Sequence, residues 1–171
     1  KILVDHGFGI VTSYNHLGRS LVKVGEFVKR GQPIALSGMS GMDGLFAFPW
    51  LAPHVHYNVW LNGYYCDPFG RPGETSLWRA GRLPMPAEFR DLNDSAYEPT
   101  QWYEKGVNDA IDVCTHAESK EEIRSQPTLE LQAISALFHL NYYPTRFSRK
   151  VLLCEPAYVR RPLLDLPFSK R

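Results

Sequence analysis

Ala52-Pro53-His54-Val55-His56-Tyr57-Asn58-Val59-Trp60, followed by Asn62-Gly63, is the stretch that decides how this chain reads. Tyr57, Val59 and Trp60 are strand formers, because aromatic and β-branched side chains pack well on a pleated surface. Asn-Gly is a favoured pair for a two-residue hairpin turn, since both positions need positive φ. The stretch therefore predicts a β-strand with a tight return. Side chains two apart in a strand share a face, so His54 and His56 project side by side with Cβ atoms roughly 7 Å apart. Two imidazoles so spaced can share one metal ion, or one can bind it while the other acts on a bound substrate. Spacing alone leaves both open, along with a third reading as two histidines on a solvated strand face. The residues upstream decide among them.

Ile2 to Val4 is a short apolar run, Asp5-His6-Gly7-Phe8-Gly9 a glycine-bounded turn, and Ile10 to Leu17 the partner strand of a hairpin. His6, at the shoulder of that turn, reads as a turn or packing residue. His16 closes the second strand, and alone it reads as structural, since most single histidines do no chemistry. From Leu21 to Ala35, Gly25 and Gly31 punctuate two short β segments in a V-x-x-G-x-x-V-x-x-G-x-x-I pattern, which predicts tight turns every six residues. Met42 to Leu51 is an aromatic loop interrupted by Pro49, a lid over the core or one wall of a substrate groove.

Composition sets the outer bounds. The chain has 171 residues, 44% hydrophobic and 22% charged, which is the profile of a globular protein with a real core. A net charge of +1 gives no case for a nucleic-acid or anionic-membrane partner. Cys66, Cys114 and Cys154 are odd in number and far apart, which excludes a Cys-rich zinc site and argues against a disulfide framework. No apolar run approaches a membrane span. The opening Lys-Ile-Leu-Val-Asp-His is laid out like the middle of a strand, so the chain is expected to start inside a domain.

Six ordered motifs then carry a resemblance: Ile2-Leu3-Val4-Asp5-His6-Gly7-x-Gly9, Tyr14-Asn15-His16-Leu17, Val24-Gly25-x-x-Val28-x-x-Gly31-Gln32-x-Ile34, Ser37-Gly38-x-Ser40-Gly41, Pro53-His54-Val55-His56-Tyr57 and Asp67-Pro68. Together they resemble the C-terminal two-thirds of the catalytic domain of lysostaphin/LytM-type zinc metallopeptidases, bacterial cell-wall endopeptidases with an antiparallel β fold. The resemblance implies a Zn²⁺ cofactor held in part by His56, with His16 and His54 as the catalytic pair orienting water or stabilising the transition state. It also implies a peptidoglycan substrate and residence in the bacterial envelope, periplasmic or secreted. The family's other ligands, in an HxxxD motif, are expected upstream of Ile2, so residues 1–171 alone are expected to bind zinc poorly and cleave nothing. The Met42–Leu51 loop is longer and more aromatic than the family pattern. Within and beside it, Asp43, Trp50 and Tyr57 are candidate substrate-binding residues.

The second half changes character. Residues 70–100 are rich in Gly and Pro and read as irregular connection. Gln101 to Ala117 predicts an amphipathic helix through Val107, Ala110, Ile111 and Cys114, and Ser119–Arg124 a charge-rich continuation or cap with a solvated face. Thr128 predicts an N-cap for a buried helix to about Leu140, ended by Tyr142-Tyr143-Pro144. Val151–Cys154 is a candidate strand, and Arg160 onward a tail. The fold expected is mainly β in the first half, an antiparallel open sheet or sandwich with hammerhead-like turns, and α-rich or irregular in the second. The division expected is 1–69 as a partial catalytic domain, 70–100 as linker and 101–171 as an α-rich extension.

Three other readings compete. The V-x-x-G-x-x-V-x-x-G segment echoes a biotinyl- or lipoyl-carrier hammerhead, but no lysine sits in the exposed turn such a carrier needs. Asp112 and His116, four apart on one helix face, have ligand-like spacing but the reverse of the family's order. A non-catalytic relative that binds or regulates a wall hydrolase is the second functional class, which retention of His16, His54 and His56 argues against.

Overall fold

The alternating strands of the first half pair into an antiparallel sheet, and the 3.6-residue periodicity of the second half becomes helices laid against it. The computed structural model describes residues 1–41, 52–81 and 97–165. Strands β1 (Ile2–Asp5), β2 (Ile10–Asn15), β5 (His56–Leu61) and β6 (Tyr64–Tyr65) form one sheet in the order β1-β2-β5-β6. Strands β3 (Leu17–Ser20) and β4 (Ala35–Ser37) form a separate ribbon. Asn62 and Gly63, with φ of +54° and +85°, make the β5–β6 turn in the conformation that the pair favours.

Both faces of the sheet are covered. In the β2–β5 ladder Val11 lies opposite Trp60, and both side chains are fully buried in a cluster with Trp102, Val107, Ala110, Leu137 and Leu153. The other face carries Ile10 and Val59, packed with Leu77, Trp78 and Leu164. The first cluster spans both halves of the chain, so the helices brace the sheet directly.

Between the two ribbon strands the turns at Gly25 and Gly31 form, but the two short β segments expected from Leu21 to Ala35 do not. The reason is local chemistry. In Lys23-Val24-Gly25-Glu26 the Glu26 N–H donates to the Lys23 carbonyl at 3.2 Å while the Lys23 N–H donates to the Glu26 carboxylate at 3.0 Å. Lys29-Arg30-Gly31-Gln32 repeats this with the Gln32 side-chain oxygen, 3.0 Å for both bonds. Arg71-Pro72-Gly73-Glu74 does so a third time, at 2.9 and 3.0 Å. Each four-residue turn satisfies its own backbone, which leaves little for a strand ladder to gain.

Among the described residues the second half has three α-helices: α1 (Glu104–Val113), α2 (Ala117–Arg124) and α3 (Leu129–Tyr142). The single helix expected over Gln101–Ala117 is split. At Cys114 the chain turns extended, bridging to Phe147, and Thr115 N–H donates to the Arg146 carbonyl at 2.8 Å. His116 then caps α2, its Nδ1 accepting from the Ser119 N–H at 3.3 Å. Asp112 and His116 therefore do not share a helix, and the i,i+4 spacing on one helix face that suggested a ligand pair is lost. Ser119–Arg124 belongs to a helix of its own, with Ile123 fully buried. Thr128 caps α3 as expected, and Ala133, Ala136, Leu137, Phe138 and His139 are buried. None of these helices is long and apolar enough to cross a membrane.

Two expectations fail in the last twenty described residues. Val151–Cys154 forms no strand; Val151, Leu153 and Cys154 are buried, but the segment meets the fold through side chains and one bond from Tyr103 N–H to the Leu153 carbonyl at 2.9 Å. Residues 160–165 are not a loose tail. Leu164 is buried, exchanges backbone bonds with Leu77 and Arg79 at 2.8 and 2.9 Å, and is followed by Asp165, which pairs with Arg30 at 3.1 Å.

Helix α1 tests the packing within the second half. A Cβ at Gly106 would run into the backbone carbonyl of Leu152. Alanine is the better helix former by about 1 kcal/mol, but overpacking against immovable backbone costs about 1–3 kcal/mol. Gly106→Ala is therefore expected to lower the urea unfolding midpoint despite the improved propensity. A second expectation concerns pH. His6 bonds Thr12 Oγ1 at 2.8 Å, and burial lowers its ring from the ordinary 6.5 to about 4. The unfolded chain takes up that proton near pH 6.5 and the folded chain resists until about pH 4, so this contribution is intact above 6.5 and lost as pH falls between those values. Asp5, whose carboxyl burial raises, acts with the opposite sign. The difference in unfolding free energy between wild type and His6→Gln isolates the imidazole, and it should narrow in that window.

Candidate functional site

The β2–β5 ladder ends at the pair Asn15–His56, and the next residue along β2 is His16. His16 has φ of +58°, a left-handed conformation that costs a non-glycine residue about 1–2 kcal/mol. That single dihedral turns the chain out of the sheet and into β3. It also brings the imidazole over the end of β5. The His16 ring centre lies 5.0 Å from that of His54 and 5.6 Å from that of His56, nearly parallel to the latter at 27°. Three histidines separated by about forty positions in sequence thus meet at one sheet corner. His54 and His56 are exposed and His16 is half-buried.

Two of the rings are held by backbone carbonyls. His16 Nδ1 lies 2.7 Å from the Ser40 carbonyl, and His54 Nδ1 lies 3.0 Å from the Ala52 carbonyl. A carbonyl only accepts, so both Nδ1 atoms carry the hydrogen, and in the neutral ring the lone pair sits on Nε2. The His54 N–H also donates to the Gly38 carbonyl at 3.3 Å, tying the histidine strand to the segment after β4. Gly41 packs beside the His16 ring, where an added Cβ would stand 3.4 Å from Nδ1.

Imidazoles with a fixed Nδ1–H and a free Nε2 are suited both to metal ligation and to proton transfer. Among the described residues, however, no group of three or more His, Cys, Asp or Glu is arranged to hold a metal ion. The donor chemistry fits part of a metal's coordination sphere and does not complete it.

Tyr57 is not brought together with the histidines. As the neighbour of His56 in a strand it faces the other side, where its ring lies 5.3 Å from Tyr14 and 6.1 Å from Trp78. Burial raises its hydroxyl pKa. Asp43 and Trp50 lie outside the described residues. Sequence reading passed over Ser40 and Ala52, which act through main-chain oxygens that no side-chain pattern advertises. It also gave Asn15 no role of its own, though the residue stands in the Tyr14-Asn15-His16-Leu17 motif.

Residues 1–68 match Peptidase family M23. An uncharacterized metalloprotease of Haemophilus influenzae is 40% identical over 67 residues, covering 39% of this chain and 13% of that protein. The peptidoglycan DD-endopeptidase ShyC of Vibrio cholerae is 37% identical over 67 residues, 39% of this chain and 14% of its own. The murein hydrolase activator EnvC of Escherichia coli is 34% identical over 67 residues, with the same two shares, 39% and 14%. The chain thus spans about one-seventh of the length of these curated relatives. No solved structure matches.

The left-handed backbone at His16 separates fold from chemistry. Glycine relieves the strain there but gives back about 0.5–1 kcal/mol in unfolded-chain entropy and loses the bond to Ser40. His16→Gly is expected to stay within about 1 kcal/mol of wild type in urea unfolding. His16→Val, with a β-branched side chain forced to positive φ, is expected to fall clearly below it.

Proposed function

We propose that residues 1–68, a segment of Peptidase family M23, form the histidine-bearing part of a zinc-dependent endopeptidase that hydrolyses peptide bonds in bacterial peptidoglycan cross-links. The observation that carries this reading is the meeting of His16, His54 and His56 at one corner, with the Nδ1 of His16 and of His54 engaged by a backbone carbonyl so that the lone pair of the neutral ring sits on Nε2. The curated name of ShyC supports the substrate class, and with it residence in the cell envelope.

In this reading His56 donates to the metal, and the remaining donors come from outside the described residues. Zinc, when bound, supplies Lewis-acid polarisation of the scissile carbonyl and of a water molecule. The chain's own residues handle the protons. Nε2 of His16 or His54 accepts the proton released as water attacks the carbonyl carbon, and the resulting imidazolium gives a proton to the departing amine. An imidazolium at the same corner also offers an N–H to the developing oxyanion. The carbonyls of Ser40 and Ala52 keep the two rings aimed through this cycle, because each Nδ1–H remains a donor in either protonation state. Asp43 and Trp50 remain proposed groove residues, and Tyr57 would contribute by packing beneath the strand.

A second reading, a non-catalytic activator of a wall hydrolase, is favoured by the likeness to EnvC and by the incomplete donor set among the described residues. The two are separated by metal analysis and product assay on the protein in its full natural length. The enzyme reading expects one zinc per chain, lost in His56→Ala, and cross-link cleavage products detectable by mass spectrometry. His16→Ala and His54→Ala should keep the zinc and lose about 10²–10⁴-fold in turnover. Zinc content unchanged by His56→Ala would overturn the ligand assignment. Absence of both zinc and products, with stimulation of an added hydrolase, would establish the activator instead.

A further inference from the structure

We propose that Tyr142, at the end of α3, is a positioning residue for the histidine corner, so that the helical half sets the geometry of the site as well as covering the sheet. The proposal rests on the reading above for what the histidines do; the connection itself rests on four side chains. Tyr142 Oη accepts from Asn58 Nδ2 at 2.8 Å and from Asn15 Nδ2 at 3.4 Å. Asn15 Nδ2 donates at shorter range to the His56 carbonyl at 3.1 Å and to Ser13 Oγ at 3.0 Å, so its longer contact with Tyr142 shares one of its two hydrogens. Asn58 Nδ2 reaches the same Ser13 Oγ at 3.2 Å. Ser13, Asn15, His56 and Asn58 alternate along paired strands and share one face of the sheet, the face that α3 approaches.

Asn15 is the joint in this arrangement. Its backbone leads directly into His16 at φ of +58°, and its side chain grips the carbonyl of His56. It therefore couples the two histidine-bearing stretches where the ladder ends. Ladder ends open more readily than ladder centres, and catalytic groups tolerate little displacement. A hydroxyl anchored on a helix and bonded to both asparagine amides restrains that opening. Tyr142 is itself held by stacking on Phe138, ring centres 4.5 Å apart, and by an edge contact with Tyr65 at 6.2 Å. Its hydroxyl position is thus set by packing within α3 and against β6.

Tyr142→Phe keeps the stacked ring and removes the acceptor. In the full natural-length protein, hydrogen exchange at the backbone amides of Asn15 and His56 is expected to quicken about fivefold to tenfold, while Trp60 and the α3 amides keep their wild-type rates. Nuclear Overhauser contacts between the His16 and His56 rings should weaken in parallel, and kcat for cross-link cleavage should fall with KM unchanged. Tyr143→Phe, next door and outside the network, should change none of these. Unchanged exchange at Asn15 and His56 in Tyr142→Phe would overturn the proposal. So would acceleration spread evenly over the sheet and helices, which marks a purely structural role. If wild type cleaves nothing while the local exchange effect appears, the enzymatic reading fails and the positioning role stands. If wild type cleaves and Tyr142→Phe retains its kcat, the positioning role fails alone.

Discussion

The register of β2 against β5 is the constraint on which the rest depends. With Val11 opposite Trp60, the ladder closes on Asn15 opposite His56, and His16 falls where it can turn over the end of the neighbouring strand. A slip of one residue would move every side chain of β5 to the other face, sending Trp60 out of its core and His56 towards the Trp78 side. The buried pair makes that slip expensive. Truncating a buried tryptophan costs about 3–5 kcal/mol, more than any contact among the exposed histidines could return. The chemistry at the corner is thus specified from the sheet interior, several residues away.

The corner itself is assembled from main-chain groups. Ser40 and Ala52 aim two rings through their carbonyls, and Gly38 ties the histidine strand to the ribbon. A backbone oxygen cannot be lost by ordinary substitution, and it accepts from an imidazole whether the ring is neutral or charged. Backbone strain at His16 is the counterpart: a costly dihedral is tolerated because β2, β3 and the Ser40 contact define both sides of it.

Much of this was legible in the residues. Asn62-Gly63 announced the β5–β6 turn, alternation announced the strands, and Thr128 announced α3, each because the signal and the structure it forms lie within a few positions. The ordered motifs over residues 1–68 pointed to the family that the comparisons also find. Misreadings share a cause. Leu21 to Ala35 alternates like strands, but Glu26 and Gln32 cap their own turns, and period alone does not reveal that. Helical spacing ran on through Cys114, while the pairing of Cys114 and Thr115 with a segment thirty residues later broke the helix. Leu164 looked like part of a tail because its partners, Leu77 and Trp78, sit in a stretch that itself looked irregular. Nothing about Tyr142 in the sequence hints that its hydroxyl reaches Asn58, eighty-four positions away. Local chemistry was readable, and distant pairings were not.

The shared cluster beneath the sheet has one more implication. Val11 and Trp60 lie in the stretch that matches the peptidase family, whereas Val107, Ala110 and Leu137, which shield them, lie outside it. Any protein that displays the same strands without these helices must roof that greasy underside with different material. The rim bearing the imidazoles is then an exchangeable tool head, while the handle beneath it is fitted anew in each setting and decides how firmly the head is gripped.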